Sequence, residues 1–317
     1  MQGPDLIRHT VMTLDDCADH FAAIRNSRNE VEIRTHLQAL LDIYPVVSFE
    51  LGRGSVFWRG RKAGSAPFNK ATQMSYPPVE CTQAQRLNDL GCPCLYGATR
   101  RSTVLSELNA QVGECYQFVG FRVKPSGSLR VGAIGELSHI YKTGYIKSLG
   151  TDPDNALSRF LNSKGLEGGK QLVYIDAFLA SILADRDAYQ NDYLHTRILA
   201  KLSYEKSGTS GLFYPSVQES NGMNVAILSE PYLSQTHLVC CQYVKIKKVR
   251  EFGIFDYHVL LEGRGVDDEG TIMWQTPKEQ FITFFGLTER EQKFLQNRPL
   301  NDGNALIELA KLSRNDS

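Results

Sequence analysis

This chain has no excess of either charge: its 317 residues carry 35 basic and 35 acidic side chains, a formal net charge of zero. With no global field to hold a polyanion, direct binding to nucleic acid or to an anionic membrane is not expected. Long apolar runs are also missing. Even the stretch from Leu172 to Leu183 is interrupted by Asp176 and falls short of the ~20 residues a membrane span needs, so no transmembrane helix is expected. The opening Met1-Gln2-Gly3-Pro4-Asp5, followed by Asp15 and Asp16, lacks the basic-then-apolar order of a secretory signal, and the cytoplasm is the expected location. No C-x-x-C pair occurs among the seven cysteines at positions 17, 81, 92, 94, 115, 240 and 241, and Cys92-Pro93-Cys94 is one residue short of the usual zinc spacing. Reduced, mostly buried thiols are therefore expected over a zinc site made of Cys81, Cys92, Cys94 and Cys115. Also absent are G-x-G-x-x-G, a Walker loop, G-x-S-x-G and H-E-x-x-H, which removes the Rossmann, P-loop, α/β-hydrolase and zincin readings. His139, His237 and His258 have no metal-ligand spacing, and no metal is expected.

What is present reads as an α+β chain. Its length corresponds to about two domains, or to one with extensions, and is ample for an enclosed core. Thr13 followed by Asp15 and Asp16 reads as a helix start, and Phe21, Ile24, Val31, Ile33, Leu37, Leu40 and Leu41 recur at helical spacing. Two helices broken near Asn26-Ser27 and stopped at Pro45 are expected, with sheet from Val46 to Leu51. Residues 60–85 read as one long polar loop, and Leu95 to Ala98 as a short buried strand. Ser102 or Thr103 is suited to cap a helix carrying Glu107 on its second turn. Strands are expected over Cys115–Val123 and Leu129–Ile134 about the turn Lys124-Pro125-Ser126-Gly127, and helices from Glu136 through Tyr204. After the Ser207-Gly208-Thr209-Ser210-Gly211 break come strands over Leu212–Tyr214 and Asn224–Leu228, then three longer strands from His237 to Trp274, and helices from Lys278 onward. The basic run Lys245–Arg250 fits a strand with Val244, Ile246 and Val249 on its dry face. Several strands are joined by turns too short for a crossover, so a mostly antiparallel sheet flanked by helices is expected.

Three distant segments place a polar side chain at a strand or helix end: Phe57-Trp58-Arg59-Gly60, Thr103-Val104-Leu105-Ser106-Glu107 and Leu212-Phe213-Tyr214-Pro215-Ser216. Between the first two lies Arg86-Leu87-Asn88-Asp89-Leu90-Gly91-Cys92-Pro93-Cys94-Leu95-Tyr96-Gly97-Ala98, an Arg, an Asn two residues on, a Gly-x-Pro and a strand ending in Tyr. A second block runs from Tyr193-Leu194-His195-Thr196 to Ser216, with Asn224–Leu228 as its last strand. In this order the chain resembles the RES-domain family over about residues 55–230. Arg197 departs from the pattern, since many relatives have Gln there. Read with the resemblance, residues 1–45 form a helical N-terminal extension, 46–235 a RES-like catalytic domain of ADP-ribosyltransferase-like type, and 236–317 C-terminal strands and helices packed on the core.

The resemblance implies an enzyme that takes NAD⁺ as substrate, uses no metal, and belongs to the toxins of toxin and antitoxin pairs, silenced by an antitoxin protein; a homo-oligomer is compatible with it. It assigns catalysis to Glu107, Arg59 and Ser216, and NAD⁺ binding to Arg59, Arg86, Tyr96 and Ser216. The chemistry suits these side chains. Cleavage at the nicotinamide ribose passes through a cation-like sugar that a carboxylate such as Glu107 stabilises. The planar forks of Arg59 and Arg86 match phosphate oxygens, Tyr96 can stack on a ring or bond a ribose, and Ser216 can donate to a phosphate or ribose oxygen. Taken singly, each has a plainer reading: Glu107 and Arg59 as solvated charges, Ser216 as a turn residue, Tyr96 as core, and nearby His195 as structural. The resemblance also leaves two other outcomes open, an ADP-ribosyltransferase acting on a protein and a catalytically silent nucleotide-binding module.

Overall fold

The computed structural model describes residues 12–52, 55–148, 152–219 and 222–277. The opening pentapeptide and the helices expected from Lys278 onward lie outside the described residues. In chain order the elements are α1 (Leu14–Asn26), α2 (Glu30–Ile43), β1 (Val47–Leu51), β2 (Val56–Ala63), β3 (Cys94–Ala98), α3 (Arg101–Glu107), β4 (Cys115–Val123), β5 (Leu129–Ala133), α4 (Glu136–Thr143), α5 (Ala156–Ser163), α6 (Gly165–Leu183), α7 (Leu194–Ser207), β6 (Gly211–Pro215), β7 (Met223–Leu228), α8 (Ser229–Gln235), β8 (Thr236–Arg250), β9 (Ile254–Val266) and β10 (Ile272–Gln275). The class is α+β with mostly antiparallel strands, as expected. The chain forms two compact units, residues 1–49, 79–92 and 131–217 in the first and 50–78, 93–130 and 218–317 in the second.

The first unit is built on helices. Thr13 caps α1 in a reciprocal box with Asp16, and Asn29 caps α2 by accepting from the amides of Val31 and Glu32, which places the break where Asn26-Ser27 indicates. The apolar face of α6 buries Leu172, Ile175, Phe178 and Leu179, and the ring of Phe21 stacks on Phe178 at 3.9 Å. Strands β5 and β6 pair in parallel, Val131 with Gly211 and Ala133 with Phe213. Although Gly127 closes a turn onto the Lys124 carbonyl at 2.9 Å, β5 therefore does not fold back on β4 as a hairpin. Fully buried Asp176 ties this unit together: it accepts from the Tyr44 hydroxyl at 2.6 Å and from the amides of Gly135 at 2.8 Å and Ser138 at 2.6 Å, at the start of α4. Burial pushes its carboxyl up, against the opposing pull of those same hydrogen bonds.

The second unit is a sheet in the order β7-β3-β2-β4-β8-β9-β10, antiparallel at each of the pairings that follow. Strand β2 runs on to Ala63, paired through to Cys115, although Arg61 and Lys62, on opposite faces of the strand, are both exposed and in composition look like loop. Past it, residues up to 85 hold two short 3-10 turns, Ala71–Met74 and Val79–Cys81, and isolated bridges at Lys70 and Gln85. In β8, Val244 and Ile246 are buried as expected, whereas Val249 is exposed, beyond an irregularity in the β8–β9 register between Ile246 and Lys248. Three cysteines (Cys17, Cys94 and Cys241) are buried, Cys115 and Cys240 are intermediate, and Cys81 and Cys92 are exposed. Among the described residues no helix is long and apolar enough to cross a membrane.

Candidate active site

Helix α3 is only seven residues long, too short to hold itself, and is fixed by what it buries. Val104 and Leu105 pack into a core with Trp58, Ala98, Tyr116, Phe118, Val244 and Ile246. Gly60 admits the helix: a Cβ there would lie 2.5 Å from Val104 Cγ1 and 3.1 Å from Leu108 Cδ1. The expected cap by Ser102 or Thr103 is not used. The helix starts at least two residues earlier than such a cap would set it, at Arg101, after an extended Arg100 that makes no side-chain cap, and Thr103 is drawn into the core.

Glu107 is the last residue of α3 and half-buried. Its Oε1 accepts from Asn224 Nδ2 at 2.7 Å. Asn224 is 5% exposed on β7, where it pairs with Ala98 of β3, and the next step of the chain is secured by Thr99 N donating to Met223 O at 3.0 Å. The strand pair that launches α3 thus also supplies the side chain that holds the carboxylate at its far end. Asn224 had no assigned role in the sequence, although a signal exists: one amide opening the apolar run Asn224-Val225-Ala226-Ile227-Leu228 must be buried with a partner.

Arg59 stands on β2, one residue beyond the Trp58–Ala98 pair that joins β2 to β3, and its Nη1 donates to the Tyr96 carbonyl at 2.9 Å. Close approach of the two strands is allowed by Gly97, whose Cβ would come within 2.9 Å of the Trp58 carbonyl oxygen. Among the described residues, Arg59 Nε is buried with no hydrogen-bond partner. Loss of solvent, with the neighbouring charge of Arg61 adding to it, pulls the guanidinium down to about 10, so it is still a cation at neutral pH. A desolvated cation with a donor unused is equipped to receive an anion.

The second unit therefore brings Arg59, Tyr96 and Glu107 onto neighbouring elements, β2, β3 and α3, with Asn224 added from β7. Ser216 and Arg86 belong to the first unit. Ser216 follows the end of β6 and is 8% exposed. Arg86 Nη1 donates to the carbonyls of Leu183 at 2.7 Å and Asp185 at 2.8 Å, closing the C-terminal end of α6, and its guanidinium lies 5.8 Å from the centre of the Tyr193 ring. His195 Nε2 meets the carbonyls of Ile24 at 2.9 Å and Ser27 at 3.2 Å, a structural post at the end of α1. Arg197 forms an ion pair with Asp89 and donates from Nε to the Asp192 carbonyl at 2.8 Å, which joins the two sequence blocks of the first unit. A cavity of about 440 Å³ in the second unit is lined by Leu238, Cys240, Gly263 and Arg264 among others, and by none of the candidate residues. Among the described residues no group of three or more His, Cys, Asp or Glu could hold a metal ion.

Comparison with known proteins agrees with the motif order. The family model described as RES domain matches residues 56–239. The crystal structure of the M. tuberculosis MbcT-MbcA toxin-antitoxin complex contains a chain similar to this one at 12% identity and a TM-score of 0.34, over 67% of this chain and 91% of that one, a likeness too distant to carry an argument about chemistry. No curated protein matches.

Proposed function

Because the chain belongs to the RES-domain family, whose match spans Arg59, Arg86, Tyr96, Glu107 and Ser216, we propose that it consumes NAD⁺ by cleaving the nicotinamide glycosidic bond. The observation that carries this reading is the pair of opposite charges prepared on adjacent elements: the Arg59 guanidinium, whose buried Nε has no partner among the described residues, and the Glu107 carboxylate, which accepts from Asn224. Arg59 receives the pyrophosphate. It is the better ligand of the two arginines, because Arg86 Nη1 is already occupied by two carbonyls. Glu107 accepts from a ribose hydroxyl and stabilises the positive charge that grows on the sugar as the bond to nicotinamide lengthens. Nicotinamide leaves as a neutral molecule from a cationic pyridinium, so the bonding pair departs with a ring that needs neither a proton nor a metal. Tyr96, on the strand next to Arg59, walls the substrate.

With water as acceptor the products are ADP-ribose, nicotinamide and a proton; with phosphate they are ADP-ribose 1″-phosphate and nicotinamide. An enzyme that destroys a cofactor shared by the whole cell has to be restrained, so this reading includes an antitoxin partner that silences the site. The test is product analysis after incubation of purified protein with NAD⁺ labelled in the adenine, with and without phosphate. Free ADP-ribose or its 1″-phosphate is the expected product. Label found only on a protein band would replace the reading with ADP-ribosyl transfer, and intact NAD⁺ that remains bound would replace it with a silent binding module.

A further inference from the structure

Glu107 ends a two-turn helix, and a glutamate there has three side-chain torsions to settle before its carboxylate points anywhere in particular. The contact with Asn224 restricts that freedom. A carboxylate can only accept, so the amide group of Asn224 that faces Oε1 at 2.7 Å must be its NH₂, which assigns the amide orientation without appeal to any other neighbour. Asn224 itself has little freedom: it is 5% exposed, its backbone is paired with Ala98, and its strand neighbours Met223 and Val225 are buried. We infer that Asn224 is the positioning residue for the Glu107 carboxylate, a neutral donor that fixes the carboxylate's direction without cancelling its charge. The inference rests on the proposed glycosidic-bond reaction for what the carboxylate does, and on the 2.7 Å contact for how Asn224 directs it.

Neutrality is the point of the choice. An Arg or Lys in this position would also hold the carboxylate but would oppose the cationic sugar, both by its own charge and by neutralising the negative charge that stabilises it. A hydroxyl on the shorter Ser side chain would not span the distance from β7. An amide donates strongly enough to a charged acceptor to lock a rotamer, and leaves the net charge of the pair at minus one.

The same geometry makes a distinctive prediction for Asn224→Asp, which keeps the shape and changes only the donor. At neutral pH two carboxylates would face one another and repel. As pH falls, one proton enters the pair, and a protonated Asp side chain presents an O–H where the amide presented its N–H. Activity should therefore be regained in acid by Asn224→Asp and not by Asn224→Ala. A residue that merely supports the fold would show no such rescue.

The experiment measures nicotinamide release, as kcat and KM between pH 5 and pH 8, for the wild-type chain, Asn224→Ala and Asn224→Asp, alongside thermal melting of each. It also follows the side-chain carboxyl carbon of Glu107 by NMR in glutamate-labelled protein, with the signal identified by its loss in Glu107→Gln. Asn224→Ala is expected to lower kcat roughly a hundredfold, the order seen when a reacting group is misplaced by about 1 Å, with KM changed by less than about threefold. Asn224→Asp is expected to be as poor at pH 8 and to recover at least about tenfold relative to wild type towards pH 5. An unchanged kcat in Asn224→Ala, equal pH profiles for the two variants, or a Glu107 signal that does not move in Asn224→Ala would overturn the inference. Wild-type protein that releases no nicotinamide, with a Glu107 signal that does respond to Asn224→Ala, would overturn instead the reaction that the contact is proposed to serve.

Discussion

The side-chain amide of Asn224 donates to the carboxylate of Glu107 at 2.7 Å, joining the start of β7 to the end of α3 across 117 positions of chain. Everything else about α3 is arranged so that this contact can be made. The helix is short, packs through Val104 and Leu105, and approaches β2 at a residue with no side chain.

That approach is the first thing to test. Gly60→Ala would set a Cβ against Val104 Cγ1, which is too near its own backbone to swing away. Overpacking of this kind typically costs about 1–3 kcal/mol. The expected result is a lower midpoint in urea, accompanied by loss of nicotinamide release because α3 is pushed off its bed. A variant as stable as the wild type would show that the helix has slack.

Arg59 should impose a pH limit on anion binding. Its guanidinium is pulled down to about 10 by loss of solvent and by Arg61, so the cation is present below that pH and lost above it. Binding of an anion favours the cation, and affinity therefore falls by up to about tenfold per pH unit once pH passes the value of the free protein. Equilibrium binding of ADP-ribose is expected to hold steady from pH 8 to pH 9.5 and to drop beyond pH 10. Arg59→Gln should bind weakly throughout and show no such step; a step that persists in that variant would assign it to another group.

Asp176 gathers three donors, from Tyr44, Gly135 and Ser138, in a fully buried place. Asp176→Ala strands them, and a buried donor left without an acceptor costs on the order of 1–3 kcal/mol. A loss of roughly 3 kcal/mol or more in chemical denaturation is expected. Because burial raises this carboxyl, its stabilising contribution is fully present below the usual carboxylate range and is lost as pH rises through its raised value, so it is not a driver of acid unfolding. The difference between wild type and Asp176→Ala should accordingly not shrink as pH is lowered from 7 to 5.

The cysteines should separate by alkylation. Burial pushes the Cys241 thiol up to about 12 and Cys240 up to about 11, so both are neutral at pH 8 and become thiolates only as pH climbs through those values. Cys81 and Cys92 are exposed. Mass spectrometry after brief iodoacetamide treatment at pH 8 is expected to find Cys81 and Cys92 modified first, with Cys241 modified only after denaturation. Early labelling of Cys241 would mean that β8 opens readily in the native protein.

How much of this could be read in advance depended on whether the signal was local. The break between α1 and α2, the stop at Pro45, the strand Cys94–Ala98 and the α+β class follow from caps, proline and short-range periodicity, which act within a few residues. The extension of β2 beyond Gly60 is not legible because Arg61 and Lys62, on opposite faces, are both exposed, and a strand end wet on both sides has the composition of a loop. The partners of β5 could not be read, since a turn sequence at Lys124–Gly127 does not determine which strand the chain will join next. Nothing local signals that residues 79–92 belong with 131–217 and not with the strand they precede. At the candidate site, motif order alone points to Arg59, Tyr96 and Glu107, whereas Asn224 requires the β3–β7 register before its amide can be matched to Glu107. Arg86 shows the reverse case: its place in a motif says nothing of the Leu183 and Asp185 carbonyls that occupy it.

The account stands or falls on nicotinamide release from NAD⁺ by the purified chain, measured beside Glu107→Gln, which keeps the size of the side chain and removes its charge. The expected result is steady release by the wild type and a loss of at least about a hundredfold in kcat for the variant, with ADP-ribose binding retained, because the Gln carbonyl still accepts from the ribose hydroxyl whereas the charge acts on the developing cation. Equal rates in the two proteins, or no release by the wild type under any acceptor condition, would contradict it.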